Sequence, residues 1–114
     1  MNNRKNNFNN RCYEILCLIP KGKVSTYKGI ANTLNTKAYR AVGNAMARNP
    51  NPIAVPCHRI INSNGLIGGY GLGVDKKITL LQKEGITIRQ GRVVGYEKII
   101  HSFEQILTAW FVKR

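Results

Sequence analysis

Apolar residues recur at helical spacing from Phe8 through Cys12, Ile15, Leu16 and Ile19, and the run stops at Pro20 and Gly22. These positions share one face of a helix, so the pattern predicts a first helix over 8–19 with a single buried stripe. Ser25 or Thr26 is suited to cap a second, short helix carrying Tyr27, Ile30 and Leu34. Thr36 is suited to cap a third that continues to about Ala47, where Asn49-Pro50 stops it. Two short helices with a tight connection predict a helix-turn-helix unit.

Further on, Ile53-Ala54-Val55 reads as a short buried strand leading into Pro56-Cys57, and 62–73 as a glycine-rich loop. Asp75 is a candidate cap for a helix through Ile78 and Leu81 that ends at Gly85. Ile86-Thr87-Ile88 and Arg92-Val93-Val94 alternate around Gln90-Gly91, the pattern of a hairpin. Over 97–111 a broad apolar face of Ile99, Ile100, Phe103, Ile106, Leu107 and Trp110 predicts a long amphipathic helix. Residues 1–7 are nearly all Asn, Arg and Lys, with little to bury, and are expected to form a disordered arm that can touch phosphates. The fold expected is mostly α, with short strands. A chain of 114 residues with 43% apolar content supports one modest core. The expected organisation is therefore an arm over 1–7, a domain over 8–85, and a hairpin and helix over 86–114 packed on that domain.

Charge adds a partner to this picture. Eighteen Lys and Arg against five Asp and Glu give +13, and the excess runs along the folded region, which points to a polyanion. No long apolar segment or lipidation signal accompanies it, which argues against a membrane. On a helical wheel the third helix sets Tyr39, Val42 and Met46 on a core side, and Arg40, Ala41, Asn44, Ala45 and Arg48 opposite. Small residues let a helix approach DNA closely, while the interspersed Arg and Asn reach phosphates and bases. Three cysteines, Cys12, Cys17 and Cys57, make neither an even disulfide set nor paired CxxC zinc knuckles. With no leader segment in front of them, an intracellular protein with reduced thiols and no metal is expected, Cys12 and Cys17 being small buried hydrophobes.

The candidate chemistry lies in Pro56-Cys57-His58-Arg59, within the run 49–70. A thiol attacks as thiolate, so it needs a neighbouring base, and His58 is the candidate. Adjacent residues on an extended chain point to opposite sides, so His58 is expected to reach the thiol through a bridging water. The imidazole in turn needs an orienting acceptor, and Glu84 is one of only five acidic residues.

This stretch resembles the active-site segment of the O6-alkylguanine-DNA alkyltransferases, the methylated-DNA protein-cysteine methyltransferases, whose reactive cysteine sits in a Pro-Cys-His-Arg motif. The resemblance runs from about Phe8 to Gly85. It includes Ile19-Pro20-Lys21-Gly22-Lys23-Val24-Ser25-Thr26-Tyr27, Tyr39-Arg40-Ala41-Val42-Gly43-Asn44-Ala45-Met46 and Leu80-Leu81-Gln82-Lys83-Glu84-Gly85.

The resemblance implies a winged-helix-like DNA-binding domain and a relay of Cys57, water, His58 and Glu84. It implies that Asn49 is a hinge tying the recognition helix to the active-site segment. Tyr27 would help rotate the target nucleotide and hydrogen-bond the extruded base, and Arg40 would fill the gap left in the base stack. Met46, Pro52, Val55, Ile60, Tyr70 and Gly71 would join Tyr27 in the substrate pocket, with the Cys57 and Ile60 carbonyls accepting from the guanine amino group. The partner implied is double-stranded DNA containing O6-alkylguanine. The reaction would be a single irreversible transfer of the alkyl group to Cys57 by a monomer, without cofactor.

Three departures from the family pattern stand out. Gly71 occupies the place where many members carry serine, which predicts a wider pocket. The smaller N-terminal domain of many relatives, with any metal it carries, has no counterpart in these residues. The residues after Gly85 are extra, and are expected either to cover surface that domain would cover or to form a homodimer seam.

The alternative function is that of an alkyltransferase-like protein, which grips alkylated bases without reacting. Those relatives generally lack the cysteine that is present here as Cys57. A helix-turn-helix regulator would leave Cys57, His58 and Glu84 without purpose, and a cysteine hydrolase would need an oxyanion hole and an acyl pocket.

Overall fold

The structure, a computed structural model, describes residues 4–103. Helix α1 (Arg4–Leu16) buries Cys12, Ile15 and Leu16, and Ile19 just beyond it, at the spacing read from the sequence. It begins at Arg4, inside the stretch expected to be a disordered arm. No Gly or Pro interrupts 4–7, so helical hydrogen bonding extends outward from the anchored face. Residues 1–3 lie outside the described residues.

Strand β1 (Ser25–Thr26) runs directly into α2 (Tyr27–Thr33). Thr26 is the N-cap, extended at φ −122° and ψ 161°, and its Oγ1 accepts from the Gly29 amide at 2.9 Å, a cap contributing about 1 kcal/mol. Gly29 fits because a Cβ there would stand 2.8 Å from Ser25 Oγ. Helix α3 (Tyr39–Ala47) packs on α2 across a short turn, completing the helix-turn-helix. Its N-cap is Ala38 rather than Thr36; the Thr36 hydroxyl instead accepts from the Ala38 amide at 3.1 Å.

The segment 53–55 is not a buried strand. Ile53 is 44% exposed with φ 79°, and the Val55 amide donates to the Asn51 carbonyl at 2.9 Å, closing a tight turn. Pro52 and Pro56 bracket this run and withhold two of the amides a strand would need. The buried strand lies after the cysteine: β2 (Ile60–Ile61) pairs in parallel with β1, Ser25 opposite Ile60 and Thr26 opposite Ile61. A 3₁₀ turn over Cys57–Arg59 links the two segments.

Helix α4 (Val74–Lys83) starts behind Gly73, with Asp75 in its first turn rather than at the cap. Gly85, at φ 88°, ends it, so Glu84 is held as the C-cap residue. Strands β3 (Ile88–Arg89) and β4 (Arg92–Val93) form an antiparallel pair whose turn residues, Gln90 and Gly91, both have positive φ.

The helix expected over 97–111 is broken. Helix α5 spans only Tyr96–Ile99, and Ile100 is extended. There the chain pairs with Val24: the Val24 amide donates to Ile99 O at 3.0 Å and the His101 amide to Val24 O at 2.8 Å. Continuing the helix would leave both buried Val24 backbone groups without these partners, which outweighs the helical periodicity. The rest of the expected helix, residues 104–111, lies outside the described residues.

Two apolar clusters result. One joins α1, α2 and α3 with Cys57, Ile60 and Phe103, the other joins Val24, Ile61, Ile67, Leu81, Ile86 and Val93. Each fully buried Ile or Leu contributes about 1.5–3 kcal/mol, so β2 is fixed from both sides by Ile60 and Ile61. Cys57 begins the turn that leads into this anchored strand.

Candidate active site

Cys57 sits 8% exposed on the wall of a cleft of about 370 Å³, its open mouth included. Tyr27 from α2, Gly43, Met46 and Ala47 from α3, and Gly69, Tyr70 and Gly71 from the glycine-rich loop complete the lining. The fold thus brings Cys57, Tyr27, Met46, Tyr70 and Gly71, all expected at the pocket, together. It does not bring Pro52, Val55 or Ile60 onto that wall. Pro52 bridges Val55 within the turn, Val55 packs on the core, and Ile60 is fully buried. Gly43, Ala47 and Gly69 were missed. Gly43 and Ala47 stand at i and i+4 on α3, so they share one helix face beside Met46.

His58 is 1% exposed, and its Nε2 stands 2.9 Å from Glu84 Oε2. A carboxylate only accepts, so this contact puts the ring proton on Nε2 and leaves Nδ1 as a proton acceptor. Nδ1 is buried and has no hydrogen-bond partner among the described residues. Burial pushes the His58 pKa below its ordinary value; the Glu84 hydrogen bond and charge act in the opposite direction, and Arg59 and Lys77 add to the lowering.

Glu84 is shared. Arg59 donates from Nε to Oε1 at 2.9 Å and from Nη2 to Oε2 at 2.7 Å, a two-point grip, while its Nη1 reaches the Ile19 carbonyl at 2.7 Å. Burial would raise the Glu84 carboxyl, but hydrogen bonds from Arg59 and His58 hold it below the usual range. Arg59 was given no role from the sequence, although it is the fourth letter of the Pro-Cys-His-Arg motif. Lys77, buried behind the cleft, was likewise overlooked.

Asn49 ties the end of α3 to the turn before the cysteine: its Nδ2 donates to Val55 O at 2.7 Å and its Oδ1 accepts from the Asn51 amide at 3.0 Å. On α3, Arg40, Asn44 and Arg48 are exposed and Ala41 is half-buried. Ala45 does not share their face. It is fully buried, its carbonyl accepting from the Tyr13 hydroxyl at 2.9 Å, whereas Tyr39 is 42% exposed. Val42, Ala45 and Met46, at i, i+3 and i+4, make the buried stripe, and Tyr39 lies in the first turn beyond its edge.

Burial raises the Tyr27 and Tyr70 phenols, and a negative Cys57 adds to both shifts. Cys12 is buried and its thiol is pushed up to about 11 by desolvation, while Cys17 is exposed rather than buried as expected. Cys17 lies just past the end of α1, off its buried stripe. Among the described residues no group of three or more His, Cys, Asp or Glu could hold a metal ion. Among them, too, no helix is long and apolar enough to cross a membrane.

The methylated-DNA protein-cysteine methyltransferase of Sulfolobus acidocaldarius is 48% identical over 83 residues, 73% of this chain and 52% of that protein. The crystal structure of O6-methylguanine-DNA methyltransferase from Pyrococcus kodakaraensis superposes with a TM-score of 0.65 at 48% identity, over 69% of this chain and 46% of that one. The crystal structure of S. pombe Atl1 in complex with damaged DNA containing O6-carboxymethylguanine matches with a TM-score of 0.74 at 32% identity, over 85% of this chain and 96% of that one. The chain spans about half the length, or less, of the curated relatives it matches. The family model described as 6-O-methylguanine DNA methyltransferase, DNA binding domain, matches residues 7–86, and the chain belongs to that family.

Proposed function

We propose that the chain repairs O6-alkylguanine in double-stranded DNA by moving the alkyl group onto Cys57, once and irreversibly. The observation that carries this reading is a cysteine on a cleft wall, backed by a buried imidazole whose outer nitrogen is held by a carboxylate. Relatives named methylated-DNA protein-cysteine methyltransferases support it, as do neighbours crystallised with DNA.

The target base leaves the duplex and enters the cleft from the minor groove. Arg40 on the exposed face of α3 occupies the gap in the stack, and Asn44 and Arg48 contact the backbone nearby. Tyr27 and Tyr70 flank the base. The Cys57 proton passes through a bridging water to His58 Nδ1, and the Glu84 carboxylate stabilises the imidazolium that forms. The thiolate then attacks the alkyl carbon; the new S–C bond forms as the C–O6 bond breaks and its electron pair stays on guanine. Guanine takes back one proton, His58 returns to neutral, and the net exchange is an alkyl group for a proton. A thioether has no ready hydrolytic exit, so each molecule acts once.

A second reading has one observation in its favour: the likeness to S. pombe Atl1 covers nearly all of that chain. In that reading the protein binds the lesion without reacting. The two part at stoichiometry. Incubation with excess duplex carrying a labelled O6-methylguanine should label the protein to one equivalent and then stop. Tight binding with no label on the protein would favour the lesion-binding reading.

A further inference from the structure

Lys77 heads the fully buried side chains by volume, at 1% exposure. Its Nζ donates to the carbonyls of Ile60 at 2.6 Å and Gly69 at 3.1 Å, and to that of Ile67. An ammonium has three donors and accepts nothing, so these three carbonyls saturate it. Among the described residues no carboxylate forms an ion pair with it. A need for bulk alone would be met by Leu or Met, without removing a cation from water.

The three carbonyls come from two segments. Ile60 opens β2, directly behind the Cys57–Arg59 turn, while Ile67 and Gly69 belong to the loop whose next residues, Tyr70 and Gly71, line the cleft with Gly69. Other backbone ties on this loop are few: the Ile67 amide donates to Gly91 O at 2.9 Å and the Gly73 amide to Tyr70 O at 3.0 Å. We propose that the Lys77 ammonium is the positioning group of the cleft wall, clamping the 67–71 loop to the strand behind Cys57, and that loss of its proton loosens that wall and the seat of the alkylated base. The substrate in this statement rests on the alkyl-transfer reading; the clamp does not.

The groups acting on Nζ are on the 3₁₀ turn. The negative form of Cys57 favours the ammonium, and the ammonium in turn disfavours a charged His58. The loop and β2 contribute carbonyls only, and on α4 the neighbouring Asp75 and Lys76 are exposed. Burial brings the Lys77 pKa down to about 8 against the opposing pull of Cys57. A neutral amine has two donors for three carbonyls, so the clamp is complete below that pH and weakens above it. Thiol ionisation runs the other way, since thiolate increases with pH.

The test pairs hydrogen exchange at the Ile67 and Gly73 amides, in the wild type and in Lys77→Met at pH 7, with two wild-type rate profiles. One profile follows methyl transfer from a duplex, the other the capture of Cys57 by iodoacetamide. Both amides should exchange about tenfold faster in Lys77→Met while α1 and α3 keep their protection. Wild-type methyl transfer should fall above about pH 8 while iodoacetamide capture rises. Unchanged exchange in a folded Lys77→Met, or wild-type methyl transfer that climbs with iodoacetamide capture through that range, would overturn the proposal. Should Lys77→Met fail to fold, the wild-type profiles decide. Should the wild type transfer no methyl group at any pH, the alkyl-transfer reading has failed, and the exchange result alone judges the clamp.

Discussion

His58 Nε2 and Glu84 Oε2 are 2.9 Å apart, and the same carboxylate oxygen lies 2.7 Å from Arg59 Nη2. Glu84 therefore fixes the imidazole while Arg59 fixes Glu84, so the ring is oriented without being permanently protonated. Glu84→Gln keeps the shape but removes the charge that stabilises an imidazolium, and methyl transfer is expected to slow by about 10²-fold, in the range of general base contributions. Single-turnover rates on a methylated duplex check this. A rate within twofold of wild type would remove Glu84 from the relay.

The same pair gives a stability profile. His58 has its pKa lowered in the fold, so below its ordinary value near 6.5 the unfolded chain binds the extra proton first and stability falls on acidification. Glu84 also has a lowered pKa; its contribution is complete above the ordinary value of 4.5 and is lost as pH falls through the folded value. Both act in the same direction. Thermal unfolding should show Tm dropping below about pH 6.5 and again below about 4.5, with the lower step reduced in Glu84→Gln. A flat profile down to the lower step would contradict the His58 assignment.

Part of this site was legible in local pairs and helix ends, while the pairing of Glu84 with His58, 26 residues away, and the hinge role of Asn49 rested on the family resemblance. Cys57 and His58 are adjacent, and Glu84 ends a helix marked by Gly85. Asn49 stands at a helix stop, and its side chain reaches only six residues ahead. What escaped depends on contacts that residue composition does not show. Ile53-Ala54-Val55 has the composition of a buried strand, yet side-chain and carbonyl capture by Asn49 and Asn51 turns it outward. Ala45 escaped because a small residue carries little apolar signal, and Tyr39, in register with Val42 and Met46, is exposed because it opens the first turn of α3. The break at Ile100 answers the backbone groups of Val24, far back in the chain. Lys77 gave no signal, since a lysine in a helix reads as surface.

Asn49→Ala removes the tie between α3 and Val55 O, a carbonyl that keeps the Cys57 amide as a donor at 2.8 Å. A loss of about 0.5–1.5 kcal/mol in unfolding free energy is expected, the net contribution of one hydrogen bond whose acceptor keeps another donor. Methyl transfer should slow as well, because the turn before Cys57 loses its anchor. Chemical denaturation and single-turnover kinetics separate the two effects; a change under about 0.5 kcal/mol, the level of a plain surface substitution, would exclude the tie as structural.

Arg40 is exposed on α3 and touches no part of the cleft. Arg40→Ala should slow repair of a duplex far more than reaction with a free alkylated base, because only the duplex requires base extrusion, a step costing on the order of a few kcal/mol. Equal losses on both substrates would reject the extrusion role. Binding to undamaged duplex should also weaken steeply with salt, since each neutralised phosphate releases about 0.9 of a counterion. A shallow salt slope would argue against the basic face as the DNA surface.

Gly71 lines the cleft, and a Cβ added there would meet nothing within 4 Å. Gly71→Ser should therefore fold normally, with stability changed by less than about 0.5 kcal/mol, and should narrow the cleft. Its rate on O6-benzylguanine should fall relative to O6-methylguanine. An unchanged benzyl-to-methyl ratio would show that this position does not set the width of the pocket.

The central claim is that Cys57 accepts the alkyl group, and intact-protein mass spectrometry after incubation with a duplex bearing a single O6-methylguanine tests it most directly. The wild type should gain the mass of one methyl group, located on Cys57, and Cys57→Ser should gain nothing. An unchanged mass in a wild type that binds the duplex tightly would contradict the account and make the protein a reader of the lesion.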